Sequence, residues 1–275
     1  METYEWKWES RDGLDLYAKG WKPEKPTAVI VLIHGHGEHI NRYEHVAAAL
    51  NAAGYALQAF DLRGHGQSAG LRGHTPSYEH LMNDIADFIG DAQKRYPALP
   101  VFLYGHSMGG NQVVNYALRS PGVLKGVIAT GPWLKLAFDP PAAQVLVAKL
   151  LNNIAPTVSL SSGLSQSALS RDVDVVHKYA IDPLVHDKIS VRLYTGMYGN
   201  GLWALEHATG LKIPMLLMHG SADKLTSAPA SQEFARKAGS LVTLKIWDGY
   251  FHEIHNEPEK VEVIQTMVDW LDKNI

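Results

Sequence analysis

Residues 101–119, VFLYGHSMGGNQVVNYALR, decide the fold more than any other part of the sequence. A short apolar run, VFLYG, leads into Ser107, and the pattern MGGNQVVNYALR that follows is typical of a helix. Gly105, Gly109 and Gly110 allow a strand and a helix to approach closely at the turn between them. A strand that passes through a Gly-x-Ser-x-Gly turn into a helix exposes the serine hydroxyl at the sheet edge, so Ser107 is a candidate nucleophile.

A second Gly-x-Ser-x-Gly pentapeptide surrounds Ser68 in HGQSAGL. The residues on either side of it, RGHG and LRGHTPS, are typical of loops and provide neither a strand nor a helix. We therefore choose Ser107 as the candidate nucleophile and expect Ser68 to be a loop or turn serine.

Short apolar runs alternate with helical patterns on both sides of the Ser107 turn. The runs are AVIVLI, YALQAF, VFLY, KGVIAT, MLLMHG and VTLKIW; the helical patterns include RYEHVAAALNAAG, SYEHLMNDIADFIGDAQKRY and EKVEVIQTMVDWLDKN. This alternation predicts an α/β protein with a mostly parallel sheet that helices cover on both faces. The first twenty residues alternate around Asp12-Gly13, which predicts an N-terminal antiparallel hairpin with a type I′ turn.

The segment between VIATGP and IPMLLMHG, about 80 residues long, needs structure of its own because ordinary connections are far shorter. We interpret residues 133–210 as a mainly helical cap inserted into a core domain made of residues 1–132 and 211–275. Within the cap, PPAAQVLVAKLLNNI has prolines at a helix entry and apolar residues on most faces. Either this helix covers an apolar substrate site or it is a buried packing helix. SLSSGLSQSALS is expected to be a flexible loop.

The composition excludes several classes of protein. The 275 residues are 46% hydrophobic and 19% charged with a net charge of −3, as in ordinary soluble domains, so there is no basic excess for nucleic acid. METYEWKWESRDG lacks the features of a signal peptide, and no apolar run reaches the roughly 18 residues that span a bilayer, so we expect a cytoplasmic location. The absence of cysteine excludes disulfides, thiolate metal sites and a cysteine nucleophile.

A nucleophilic serine needs a general base, and the base needs a carboxylate that orients it. After a turn of this kind the order along the chain is serine, acid, histidine. Asp223 lies just past the apolar run MLLMHG, whereas Asp248 ends the next strand and Asp172 lies in the cap. His252 and His255 both follow the last strand. We choose His252 as the base because it comes first in the loop, while His255 lies nearer the final helix.

Two backbone N–H groups should hold the oxyanion of the reaction. One belongs to Met108, which follows the nucleophile, and the other to His36 in LIHGHGEH, where Gly35 and Gly37 permit a tight turn. The three histidines of HGHGEH are also compatible with a metal site, but they follow a strand and lack the helical His-x-x-x-His spacing. We expect neither a metal nor an organic cofactor.

Seven motifs, in the order HGHGEHINRY, DLRGHGQS, GHSMGG, ATGP, LSRDVDVVHKYAIDPLVH, HGSAD and YFHEIHNEPE, resemble the monoacylglycerol lipase and lysophospholipase branch of the α/β-hydrolase superfamily. The resemblance covers nearly the whole chain and implies the α/β-hydrolase fold and a lipid ester substrate. It also implies that Glu38, Arg42 and His255 hold the glycerol hydroxyls. Without the resemblance, the residues alone indicate that Glu38 and Arg42 form a solvated pair at a helix start, and His255 is equally compatible with a supporting or surface residue.

The sequence therefore predicts a serine carboxylic-ester hydrolase for monoacylglycerols or similar single-chain lipid esters. A broad esterase for short or medium acyl esters is the nearest alternative. A peptidase of the same fold and a protein that keeps the fold without the chemistry are further alternatives. We also expect the apolar cap to make transient contact with micelles or membranes.

Overall fold

The computed structural model describes residues 1–275 and contains ten strands and eight α-helices. The strands are β1 (Glu2–Glu9), β2 (Asp15–Lys22), β3 (Ala28–Ile33), β4 (Tyr55–Phe60), β5 (Val101–His106), β6 (Leu124–Thr130), β7 (Ser159–Ser161), β8 (Lys188–Ser190), β9 (Met215–Gly220) and β10 (Val242–Trp247). The helices are α1 (Glu44–Ala52), α2 (Tyr78–Arg95), α3 (Met108–Arg119), α4 (Ala142–Ile154), α5 (Val173–Ile181), α6 (Val191–Glu206), α7 (Ala228–Ala238) and α8 (Lys260–Asp272).

Eight strands form one sheet in the order β1-β2-β4-β3-β5-β6-β9-β10. All neighbours from β4 to β10 pair in parallel, and β1–β2 and β2–β4 are antiparallel. Alternate side chains of a strand enter different cores, because successive residues point to opposite faces. Val31 joins the core that includes α2, α3 and α7, and Leu32 joins the core that includes α1 and α8. The predicted mostly parallel sheet with helices on both faces is confirmed.

The N-terminal hairpin forms as predicted, but its turn is not of type I′. A type I′ turn needs a positive φ at both central residues, and Asp12 has none. The connection instead has three residues between Ser10 and Leu14, whose backbones are hydrogen-bonded, and Gly13 has φ +79°. The Ser10 hydroxyl donates to the Asp12 carboxylate at 2.6 Å, which favours this longer loop.

Residues 133–210 connect β6 to β9 and carry α4, the antiparallel pair β7–β8, α5 and α6. The expected flexible loop SLSSGLSQSALS contains regular structure, namely β7 and a 3-10 turn at Gln166–Ala168. Leu193 and Met197 of α6 belong to the same core as α2 and α3. This end of the insertion is thus continuous with the sheet domain, and the division at residues 133 and 210 stays a prediction.

Helix α4 begins directly after Pro140-Pro141, as the sequence predicts, but it is not a buried packing helix. None of its residues is buried. Most of its large apolar side chains are exposed, with 59% of Leu146 and 81% of Ile154 open to solvent. No helix of the protein combines the length and apolar character needed to cross a membrane.

Candidate active site

Ser107 occupies a strained turn between β5 and α3. Its backbone has φ +54° and ψ −112°, and it is the one non-glycine residue with a positive φ. Such a conformation costs roughly 1–3 kcal/mol and persists where packing enforces it. A Cβ added to Gly109 would lie 2.1 Å from the Ile33 carbonyl oxygen, and one added to Gly105 would lie 2.4 Å from the Gly109 carbonyl oxygen. The close approach predicted from these glycines is therefore present.

The three residues chosen from the sequence form a chain of hydrogen bonds. The distance between Ser107 Oγ and His252 Nε2 is 2.8 Å, and that between His252 Nδ1 and Asp223 Oδ2 is 2.7 Å. Because an ionised carboxylate can only accept, His252 Nδ1–H donates to Asp223, which leaves Nε2 as the acceptor for the serine hydroxyl. Asp223 follows β9 and His252 follows β10, so neighbouring parallel strands bring the two side chains to the same sheet edge.

The side chain of Asp223 is fully buried and accepts several further hydrogen bonds. Its Oδ1 accepts the backbone N–H groups of Leu225 and Thr226 at 2.7 and 3.0 Å, and its Oδ2 lies 3.0 Å from His219 Nε2. Burial alone would raise the pKa of Asp223, but the charge of His252 and the hydrogen bonds from His219 and His252 hold it well below its usual range. The carboxylate therefore stays ionised at neutral pH.

The carboxylate of Asp223 affects the pKa of His252. Burial lowers the pKa of the imidazole, but the charges of Asp223, Glu253 and Glu38 outweigh burial and raise the pKa above its ordinary value of 6.5. An imidazole with a raised pKa accepts the serine proton more readily, which suits a general base.

A cavity of about 300 Å³ opens onto Ser107 and His252. Its wall includes four carboxylates, which belong to Glu38, Asp182, Asp187 and Glu253. Most of the lining residues are polar, and no residue of α4 is among them. The exposed helix therefore does not cover this cavity.

Comparison with known proteins shows the family of the chain. The sequence matches the family described as serine aminopeptidase, S33, over residues 24–259. The chain belongs to this family of serine hydrolases. Monoacylglycerol lipase of Mycolicibacterium smegmatis is 36% identical over 262 residues, which cover 94% of this chain and 93% of that protein. The crystal structure of Paleococcus ferrophilus monoacylglycerol lipase has a TM-score of 0.86 and 36% identity, with 100% of both chains covered.

An uncharacterized abhydrolase domain-containing protein of Dictyostelium discoideum is also 36% identical over 94% of this chain, and the chain spans 28% of that protein's length. Together these findings confirm the expected α/β-hydrolase fold and the resemblance to the monoacylglycerol lipase branch. The chain is a hydrolase.

The segment predicted to complete an oxyanion hole lies beside the Ser107 turn of the hydrolase. A Cβ on Gly35 would be 3.3 Å from the Ser107 Cβ, and the Gly35 N–H donates to Glu38 at 2.6 Å. The backbone N–H of His36 has no acceptor within the protein, and that of Met108 is at the first position of α3, which leaves it without an acceptor inside the helix. Both groups are thus free to donate, and their role stays a prediction.

The three histidines of HGHGEH have separate surroundings and form no common ligand set. His34 Nε2 accepts the Leu62 N–H at 2.9 Å, and His39 Nε2 donates to Asp182 at 2.9 Å. His36 lines the cavity, where burial lowers its pKa to about 3. The metal interpretation of this segment therefore has no geometric support.

Of the three residues expected to hold glycerol hydroxyls, one reaches the cavity of the hydrolase. Glu38 lines it, while its carboxylate accepts from Gly35, Tyr43 and Arg42. Arg42 lies behind the wall and donates to both oxygens of Glu253 at 2.7 Å. His255 is fully buried, stacks on Tyr43 at 4.9 Å and does not line the cavity.

Two residues beside the catalytic groups, Glu253 and His219, have no local sequence pattern that indicates their role. Glu253 looks like any exposed glutamate in a loop, and nothing local indicates that Arg42, which lies 211 residues away, is its partner. His219 lies inside the buried strand β9, where a histidine is usually a packing residue. Both depend on contacts between distant segments.

A short segment of the insertion is bonded to the loop that carries His252. We call residues 168–171 the strap. Backbone carbonyls of the strap accept the N–H groups of His252 at 3.4 Å and Glu253 at 2.7 Å. The Arg171 side chain donates to the buried carboxylate of Glu257 at 2.8 Å, and Glu257 accepts the Phe251 N–H at 2.7 Å. The strap thereby fixes both ends of the histidine loop.

Ser68 lies in a different environment from Ser107. It is buried, its hydroxyl donates to the carbonyl oxygen of Asp61, and its oxygen accepts the Tyr17 N–H at 2.9 Å. These bonds join the loop after β4 to β2. No histidine side chain is hydrogen-bonded to Ser68, in agreement with its interpretation as a loop serine.

Proposed function

We propose that the protein hydrolyses monoacylglycerols or similar single-chain lipid esters, with Ser107, His252 and Asp223 as its catalytic residues. The observation that carries this proposal is the unbroken hydrogen-bond chain from Ser107 Oγ through His252 to Asp223 at the floor of the cavity. The similarity to two monoacylglycerol lipases along nearly their whole length supports the substrate class.

In the first half of the reaction, Ser107 Oγ attacks the ester carbonyl carbon while His252 Nε2 takes the hydroxyl proton. The carbonyl oxygen becomes an oxyanion, which the backbone N–H groups of His36 and Met108 stabilise by roughly 3 kcal/mol per donor. The ester C–O bond then breaks, and His252 gives its proton to the departing glycerol oxygen. The fatty acyl group remains on Ser107.

In the second half, water replaces glycerol. His252 takes a proton from the water, whose oxygen attacks the acyl carbon, and the fatty acid leaves as His252 returns the proton to Ser107. Asp223 stays ionised throughout, holds the imidazole with Nε2 toward the serine and stabilises the imidazolium that forms twice in each cycle.

A broad esterase for short acyl esters is the second candidate, and the cavity favours it. The cavity measures about 300 Å³ and has mostly polar walls, and no residue of α4 adds an apolar extension. A profile of kcat/KM against acyl length, with monoacylglycerols and simple alkyl esters, separates the two candidates. A maximum at short chains with both alcohols would favour the esterase. Amide substrates included in the same series test the peptidase alternative.

Covalent labelling tests the proposed nucleophile together with the reaction. A fluorophosphonate probe should modify Ser107, because His252 activates its oxygen and the cavity admits the probe. The labelled peptide is identified by mass spectrometry, and monoacylglycerol turnover is measured in the same preparation. Label on Ser68 would contradict our choice of serine. Absence of both label and turnover from a folded sample would favour a protein that keeps the fold without the chemistry.

We further propose that α4 contacts the lipid surface that supplies the substrate. Leu146, Val147, Leu150 and Ile154 are more than half exposed, and the helix carries one charged residue, Lys149. Exposed apolar side chains on a surface helix insert into the interfacial region of a bilayer or micelle.

Leu146→Glu is expected to lower the partition of the protein onto phosphatidylcholine vesicles by about tenfold or more, since a buried leucine contributes roughly 1.5–3 kcal/mol. Co-sedimentation with vesicles measures the bound fraction. The matched control is Val261→Glu, which places the same charge on an exposed apolar position of α8 outside the insertion. Equal binding of wild type and Leu146→Glu would refute contact through α4.

A further inference from the structure

The wall of the Ser107 cavity carries acidic side chains and no strongly basic ones. Glu38, Asp182, Asp187 and Glu253 line it, and no lysine or arginine does. An ester must enter this cavity to reach Ser107 Oγ, so its polar end meets this distribution of charge whichever way the ester is oriented.

Arg42 lies close behind the wall, but its charge is already shared. Both of its terminal nitrogens donate to Glu253 at 2.7 Å, and one also donates to Glu38. The ring of Tyr179 covers the guanidinium at 4.7 Å from the ring centroid. One cation therefore serves two buried carboxylates, and the cluster has no positive charge left for an anionic ligand.

The other carboxylates of the wall are not outweighed by cations either. Asp182 is paired with His39 at 2.9 Å, and Asp187 lies 3.6 Å from the half-exposed Lys188. Burial lowers the pKa values of His36 and His186, so both imidazoles are neutral at pH 7. Neutral imidazoles can exchange hydrogen bonds with hydroxyl groups but do not neutralise an anion.

Two histidines at the floor of the cavity, His106 and His252, also provide no free positive charge. Burial lowers the pKa of His106 well below its ordinary value, so its ring is also neutral. His252 lies 2.7 Å from Asp223, which balances the positive charge that it acquires during the reaction. No cationic side chain of the wall is therefore available as a counter-ion for a phosphate or a carboxylate.

We propose that this cavity selects esters by charge: it accepts a neutral or cationic polar end and rejects an anionic one such as glycerol phosphate, with Glu253 as the specificity-determining residue. The inference rests on the proposed ester hydrolysis and narrows its substrate class. An anionic group that enters the cavity gives up hydration and meets carboxylates of like charge, and both effects weaken its binding. A glycerol group carries no charge and a choline cation is attracted by the carboxylates, so neither is repelled by like charge.

Three esters of one fatty acid test this selection. Monodecanoylglycerol, decanoylglycerol phosphate and decanoylcholine have neutral, anionic and cationic polar ends and are compared below their micelle-forming concentrations. We expect kcat/KM for the phosphate to be about tenfold or more below that for the neutral ester at low ionic strength, with a smaller gap at high salt. Decanoylcholine should match or exceed the neutral ester.

Substitution of single carboxylates tests whether the side chains of the cavity wall cause this charge selection. Glu253→Gln and Asp187→Asn should each narrow the ratio between neutral and phosphate esters several-fold, because each removes one negative charge beside the ligand. Asp187 is exposed, so its substitution does not endanger folding. Glu24→Gln removes the same charge from an exposed loop outside the cavity and should leave the ratio unchanged. A purely structural effect would change kcat/KM for the neutral ester and for the phosphate ester by the same factor, so their ratio would stay constant.

Binding of ether analogues separates this inference from the proposed function. Decylglycerol and decylglycerol phosphate contain no ester, and calorimetry gives their affinities without turnover. We expect the neutral ether to bind about tenfold more tightly than the phosphate. Equal affinities, or an unchanged ratio in both cavity variants, would overturn charge selection even if monoacylglycerol is hydrolysed. Failure to hydrolyse any of the three esters would overturn the proposed function, while the ether analogues would still decide the question of charge.

Discussion

Ser107→Ala is expected to lower kcat for ester hydrolysis by roughly 10⁵- to 10⁶-fold, because the oxygen that forms the acyl-enzyme is missing. The fold should survive, since the backbone strain at Ser107 is already enforced by the surrounding packing. Single-turnover assays with a monoacylglycerol measure the loss, and denaturant unfolding measures the stability of the same variants.

Ser107→Gly and Ser68→Ala serve as controls for Ser107→Ala. Ser107→Gly should be as inactive as Ser107→Ala but more stable by about 1 kcal/mol, since glycine adopts a positive φ without steric cost. Ser68→Ala should show the opposite pattern, with kcat close to wild type and stability reduced by about 1–2 kcal/mol through two lost buried hydrogen bonds. An active Ser107→Ala or an inactive, fully stable Ser68→Ala would reverse our choice of pentapeptide.

Asp223→Asn is expected to lower kcat by about 10⁴-fold through the wrong tautomer of His252. Because Asp223 Oδ1 accepts the N–H groups of Leu225 and Thr226, the amide oxygen of asparagine must take this place. The amide nitrogen then faces His252 Nδ1 and can only donate. The imidazole proton moves to Nε2, where it points at Ser107 Oγ and blocks proton transfer.

The same variant changes the pH dependence. His252 works as a base when it is neutral, so kcat/KM of the wild type should fall as pH drops through its pKa, which is raised above 6.5. Removing the negative charge of Asp223 lowers this pKa, and the residual activity of the variant should persist to lower pH. Asp248→Asn is the matched control, because that exposed carboxylate accepts from Ser221 at 3.0 Å and is remote from His252 in the hydrogen-bond network. An unchanged acid limb in Asp223→Asn would contradict this assignment.

Residues whose position follows from chain order could be predicted from the sequence. The strand, turn and helix around Ser107 are contiguous, and parallel strands carry Asp223 and His252 to a common edge, so pattern and order suffice to bring them together. The six apolar runs all form strands. Five of them are buried on both faces of the sheet, which requires continuous apolar segments, whereas β10 lies at the sheet edge and is largely exposed.

Residues whose role depends on a distant partner could not be predicted. The pairing of Arg42 with Glu253 and the placement of His255 behind the cavity follow from how two loops pack, which no local pattern records. The exposure of α4 is a similar case, because its apolar sequence is compatible with a core or with a lipid surface. The turn after β1 differs from the prediction because the side chain of Ser10 bonds within its own loop.

The two parts of the insertion, the strap and α4, differ in how much sequence change they can tolerate. Residues 168–171 are joined to the loop of His252, so a change of length there would displace the general base. Helix α4 has no buried residue and could be exchanged for a longer, shorter or more polar segment without disturbing that base. During evolution, changes in α4 can therefore alter how the protein contacts lipid surfaces, whereas residues 168–171 are expected to change little.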